Sequence, residues 1–166
     1  YLNIYDSVFT SNTAKQGGGA IRYPSDYSAI QQVKPMRITG STFTENKSAN
    51  LGGAIFTQYD AYVTSSIFKG NSANINGSSE GGAIYSSAKL VILDSVFGAE
   101  DNGNSAKRGG ALMLNGVANI VGSTFNSNTA KTDDAGDGGY GAAIYVRNLS
   151  YINSSSFTSN IADNQA

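Results

Sequence analysis

The sequence predicts an all-β chain folded as a right-handed, single-stranded parallel β-helix of about six turns, with about 25 residues per turn. Three observations predict it: two short phrases alternate along the whole chain, the interval between them is nearly constant, and their flanking residues fall into columns of one chemical type. The first phrase is Phe-x-x-Asn, seen at Phe9 and Asn12, Phe43 and Asn46, Phe68 and Asn71, Phe125 and Asn128, and Phe157 and Asn160. Phe97 opens a further copy in which an insertion displaces the Asn to Asn104. The second phrase, Gly-Gly-Ala-Ile or Gly-Gly-Ala-Leu, opens at Gly18, Gly52, Gly81 and Gly109, with the variant Gly-Ala-Ala-Ile at Gly141.

The interval from the Ala of the second phrase to the next Phe is 14 residues from Ala54, Ala83, Ala111 and Ala143. From Phe to the next Ala it is 11 residues at Phe9 and Phe43, which sets the 25-residue unit. Successive units then carry 9, 0, 4, 3 and 7 extra residues. The additions place loops near residues 22–36, 72–80, 98–103 and 131–138 of one continuous solenoid spanning 1–166.

Within each unit the elements follow in order. Five residues before each Phe stands an aliphatic residue: Ile4, Ile38, Val63, Ile92, Ile120 and Ile152. Runs such as Leu90-Val91-Ile92-Leu93 are short, aliphatic and bounded by turn-formers, which marks strands, and two or three such strands are expected per turn. Three residues before each Phe come Asp6, Gly40, Ser65, Asp94, Gly122 and Ser154, all residues that suit corners. Two before it comes an unbroken column of Ser7, Ser41, Ser66, Ser95, Ser123 and Ser155. The Phe and Ile/Val columns are read as the inward core, and each buried Phe contributes about 1.5–3 kcal/mol. The Gly-Gly pairs, with Gly53, Gly82 and Gly110 among them, admit corners or a close backbone approach that a Cβ would obstruct. The Asn column is read as a ladder of side-chain amides bonded from turn to turn.

Composition narrows function by exclusion. The chain has 166 residues, 11 Lys+Arg against 12 Asp+Glu, and no Cys, His or Trp. Without Cys and His there is no disulfide, thiolate nucleophile, imidazole base or His/Cys-ligated metal, so no cofactor is expected. A net charge of −1 lacks the electrostatic footprint of a nucleic-acid binder, and no apolar run is long enough to span a membrane as a helix.

The alternating Gly-Gly-Ala-Ile and Phe-x-x-Asn phrases resemble the repeats of the polymorphic outer membrane protein family, best known from chlamydiae, over essentially the whole chain. The resemblance implies a β-helical autotransporter passenger, held by a C-terminal barrel on the bacterial surface and acting as an adhesin. It further implies an extracellular or outer-membrane-associated location, and as partner a host-cell or matrix protein or glycan. The chain departs from chlamydial members in lacking Cys, and it contains no barrel strands. Both ends fall within a repeat and carry no obvious polar cap, which suits a section of a longer passenger. The same feature supports an alternative, a filament subunit stacking end to end on further copies of itself.

Candidate sites lie in the insertions. The longest contains both prolines, Pro24 and Pro35, and must leave the strand ladder. It carries Tyr23, Tyr27, Ile30 and Lys34, with Arg37 just beyond, aromatic and cationic residues of the kind favoured at interfaces. Its competing reading is a loop that folds back and buries its own apolar groups. Asp133, Asp134 and Asp137 form a weak Ca²⁺ candidate whose spacing fits no standard calcium loop; a solvated acidic loop is the competing reading. No catalytic residue is assigned. Polysaccharide-cleaving β-helices need converging carboxylates, and Asp6 and Asp94 share a column but stand three turns apart.

Overall fold

The computed structural model describes residues 1–24, 34–74 and 78–163. Its strands stack in parallel into four walls. The first wall contains Leu2–Tyr5, Met36–Thr39, Ala61–Thr64, Leu90–Leu93, Ala118–Val121 and Ser150–Asn153. The second is built on the Phe column, from Val8–Thr10 to Ser156–Thr158. The third consists of two-residue strands, from Thr13–Ala14 to Ile161–Ala162. The fourth holds five strands, from Ile21–Tyr23 to Ile144–Val146. Each complete turn therefore uses four strands rather than two or three. The third-wall strands escaped sequence reading because two residues, as in Ser72–Ala73, are too few to show a period.

Register follows the columns. Phe9 pairs with Phe43, Phe43 with Phe68, Phe68 with Phe97, Phe97 with Phe125, and Phe125 with Phe157. Their rings stack with centroids 4.7–4.9 Å apart and planes within 1–6°. The spacing is that of parallel strands, so the backbone ladder imposes the ring separation. Phe43, Phe68, Phe97 and Phe125 are fully buried beside Ile38, Val63, Ile92 and Ile120. In the last described turn the same columns reach solvent: Ile152 and Phe157 are each 46% exposed.

Corners are made by residues in the left-handed region. The first corner column, Asp6, Gly40, Ser65, Asp94, Gly122 and Ser154, has φ between 43° and 63° throughout. Short polar side chains tolerate this conformation where β-branched or bulky ones do not. The second glycine of the repeated phrase answers a different need. A Cβ on Gly53 would lie 2.0 Å from the Gly82 carbonyl oxygen and 2.6 Å from the Ser72 backbone. The next turn crosses there with no room for a methyl group.

Two polar ladders run beside the aromatic one. At each step the Asn side-chain oxygen accepts from both the backbone N–H and the side-chain amide of the Asn one turn earlier, as Asn71 does from Asn46 at 3.0 Å each. The Asn46 amide also donates to the Phe9 carbonyl at 3.0 Å. Asn104, beyond its insertion, occupies the same position, accepting from Asn71 at 2.9 Å and donating to the Phe68 carbonyl at 2.9 Å. The Ser column forms the second ladder: Ser66 Oγ accepts from the Ser41 N–H at 3.2 Å and donates to the Thr64 carbonyl at 2.8 Å. Among the described residues no buried side-chain nitrogen or oxygen lacks a partner.

Asn46→Ala strips an acceptor from the Asn12 N–H and a donor from the Phe9 carbonyl. It is expected to cost about 1–3 kcal/mol, read from the denaturant midpoint. An unchanged midpoint would remove the ladder from the energetic account.

Candidate functional site

Two faces of the exterior stand out, a neutralised one where acid and base pair and an unpaired one where tyrosines sit beside cations without a carboxylate partner. On the neutralised face, acid and base meet across the turns. Glu80 Oε1 accepts from Arg108 at 3.4 Å and Arg147 at 3.2 Å, tying three successive turns together. The Asn115 side chain accepts from Arg147 at 3.3 Å and donates to the Tyr85 hydroxyl at 2.6 Å. Burial, reinforced by the Glu80 carboxylate, raises the Tyr85 pKa above its ordinary value.

Asp133 and Asp137 belong to this face. Asp133 pairs with the Lys107 ammonium, while Asp137 lies 3.6 Å from Lys107 and 3.4 Å from Arg108. The Asp133 side chain also accepts from the backbone N–H groups of Ala135 at 3.0 Å and Asp137 at 2.9 Å, and so closes the turn on itself. These two carboxylates are thus directed at cations of the preceding turn. Asp134 is exposed on the same loop. Among the described residues no group of three or more His, Cys, Asp or Glu is placed to hold a metal ion.

The hydrogen bond from Lys107, with a further one from the Asp137 backbone, holds the Asp133 carboxyl below its ordinary range; the same contact raises Lys107. The signs fix the pH window. A depressed carboxylate stabilises the fold above its unfolded pKa of about 4 and loses that contribution as pH falls through the lower folded value. A raised ammonium contributes fully below its unfolded value of about 10.4 and loses its share as pH rises through the folded one. Acid titration is therefore expected to loosen the 132–138 loop before the strands melt, as a gain in amide exchange. Asp133→Asn should show the faster exchange already at neutral pH; identical exchange in the two proteins at all pH values would refute the pairing.

The unpaired face lies on the first wall and at its border with the fourth. Tyr23 ends a fourth-wall strand, packs against Tyr59 at 5.2 Å, and donates its hydroxyl to the Lys34 carbonyl at 3.0 Å. Burial raises its pKa, with Tyr59 adding to the effect. Lys34 Nζ sits 5.4 Å over the Tyr1 ring, and Arg37 Cζ sits 4.7 Å over the Tyr62 ring. Tyr27 and Ile30 lie outside the described residues, so the structure brings together only Tyr23, Lys34 and Arg37 from that group. Tyr1, Tyr59 and Tyr62 joined them without being singled out in the sequence. Arg37 and Tyr62 each stand six residues before a Phe, so alignment on the Phe column was the signal that places them side by side.

Asp6 and Asp94 are corner residues. A Cβ built on Gly40 or Gly122 would lie 2.3 Å from the side-chain oxygen of Asp6 or Asp94 respectively, so each carboxylate is folded onto the next turn's glycine. They do not converge on a common point, because three turns separate them along the axis.

Comparison with known proteins agrees with this geometry. The model of the Chlamydia polymorphic membrane protein repeat matches residues 6–22, 40–58, 65–87 and 122–147, just over half of the chain. The probable autotransporter YfaL of Escherichia coli strain K12 is 31% identical over 150 residues, which is 89% of this chain and 10% of that protein. The chain thus spans about a tenth of that relative's length. No solved structure matches. With stacked Phe and Asn ladders that repeat the matched motifs turn after turn, the chain belongs to the polymorphic membrane protein repeat family.

Proposed function

We propose that this chain is a rigid, non-catalytic section of an autotransporter-type passenger, displayed at the bacterial outer surface, that mediates attachment through its walls. The observation that carries the reading is the division of labour in the fold. Three continuous ladders consume the inward side chains and make a stiff rod, while the outer columns vary in chemistry from turn to turn. A rod whose interior repeats and whose exterior varies is suited to presenting contact surface at a distance from its anchor. The non-catalytic part rests on the carboxylates: Asp6 and Asp94 are folded into corners, and Asp133, Asp137 and Glu80 face cations.

Beads coated with the purified chain, applied to cultured epithelial cells, test the attachment role. Adhesion above that of beads carrying an unrelated β-solenoid is expected, and equal adhesion would count against it. Release of oligosaccharides from a panel of polysaccharides would overturn the non-catalytic part.

A further inference from the structure

We infer that the outer face of the first wall is the contact surface and that its partner is an acidic glycan, a reading that rests on the attachment role proposed above. The outward column of this wall reads Asn3, Arg37, Tyr62, Val91, Asn119 and Tyr151 from first turn to last, in continuous register. Tyr1, Tyr5 and Tyr151 are 72%, 59% and 59% exposed. Toward the last turns the wall forms an open trough of about 730 Å³ lined by Lys89, Val91, Val117, Asn119, Val121 and Tyr151.

Charge selects the partner. The cations of the neutralised face, Lys107, Arg108 and Arg147, all pair with carboxylates. Among the described residues Lys15, Arg22, Lys34, Arg37, Lys47, Lys69, Lys89 and Lys131 pair with none, and of these Lys34, Arg37 and Lys89 lie on or beside the first wall with its tyrosines. The carboxylate beside them, Asp60, accepts from the Lys89 backbone N–H at 3.2 Å. Arg37 and Lys34 instead rest over tyrosine rings. A guanidinium so placed uses its flat face on the ring and keeps its fork of N–H donors for a carboxylate or sulfate.

Geometry selects a glycan over an acidic peptide. A peptide strand adds to a sheet edge, where backbone donors and acceptors are free. This surface is a sheet face, and its strands spend their backbone groups on the turns before and after. It offers ring faces, point cations and the side-chain amides of Asn3 and Asn119. Tyrosine rings stack on the C–H faces of sugar rings, the amides bond hydroxyls, and Arg37 takes the acid. Tyr62 and Tyr151 stand three turns apart, roughly 14 Å along the axis, so an extended chain lying lengthwise meets both.

The test measures binding of the intact chain to immobilised heparin, hyaluronate and neutral dextran. Binding to heparin or hyaluronate but not dextran is expected, weakening as salt rises. Hyaluronate binding identifies the carboxylate as sufficient, whereas heparin binding alone identifies sulfate. Arg37→Ala combined with Tyr62→Ala should weaken binding about tenfold or more with the melting temperature unchanged. Lys131→Ala on the third wall should leave binding as it was. Should the double variant fail to fold, NMR shift changes on adding heparin or hyaluronate to the unmodified chain decide the matter: they should map to the first wall. Acidic glycans bound no better than dextran, an unaffected folded double variant, or shifts on another wall would overturn the inference. Bead adhesion is scored separately. Adhesion kept by the double variant overturns this surface and leaves attachment standing, whereas wild-type beads that fail to adhere count against attachment itself.

Discussion

Phe68→Ala is expected to destabilise the chain by about 3–5 kcal/mol, the range for deleting a fully buried aromatic ring. Phe68 is 0% exposed and stacks on both Phe43, at 4.7 Å, and Phe97, at 4.9 Å. Its removal leaves a cavity in mid-column that the backbone ladder cannot close, because strand spacing is set by hydrogen bonds on both sides. The same substitution at Phe157 provides the control. That ring has one neighbour, Phe125, and is 46% exposed, so less than half the effect is expected. Guanidinium unfolding followed by circular dichroism reads both. Equal losses at the two positions would mean that the ring column is not what holds the turns together.

Gly52→Ala is expected to cost about 2–5 kcal/mol, combining the strain of a left-handed non-glycine residue with that of forced overpacking. Gly52 has φ +59°, and a Cβ there would lie 1.9 Å from the Ile55 carbonyl oxygen. Neither can be relieved by moving a side chain, because the obstruction is backbone that donates and accepts within the fourth wall. Gly136 separates the two contributions. Its φ is +78° with nothing within 4 Å of an added Cβ, so Gly136→Ala carries only the strain, about 1–2 kcal/mol. A Gly52 variant no less stable than the Gly136 variant would show that the turn yields where the geometry says it cannot.

The architecture was legible because a solenoid writes its contacts at a fixed sequence interval. Phe43 and Phe68 touch because they hold the same position in consecutive units, so aligning the units places one ring over the other. Residues whose partners sit at different positions of the unit lacked that signal. Glu80 and Arg147 are 67 residues apart and meet only because Arg147 follows its strand while Glu80 precedes its own. Lys107 meets Asp133 because the extra residues after Ala130 turn the loop back, through a bridge between Thr132 and Gly138, over the preceding turn. Insertion lengths could be counted from the sequence, but their path depends on which wall they lie against. The outer column Arg37–Tyr62–Val91–Asn119–Tyr151 is intermediate. Its register was available from the Phe alignment, but its significance was not, since unpaired charge is defined by what surrounds a side chain in space.

Chain positions one repeat apart lie one strand spacing apart. The absence of Cys allows paired nitroxide labels to be placed cleanly at Thr10→Cys and Thr158→Cys, both exposed on the second wall in its first and last described turns. Five strand spacings separate them, so pulsed electron–electron resonance should give one narrow distance centred near roughly 24 Å, because the two tethers leave the same wall in parallel. A broad distribution, or a narrow one centred well away from that value, would contradict the stacked solenoid.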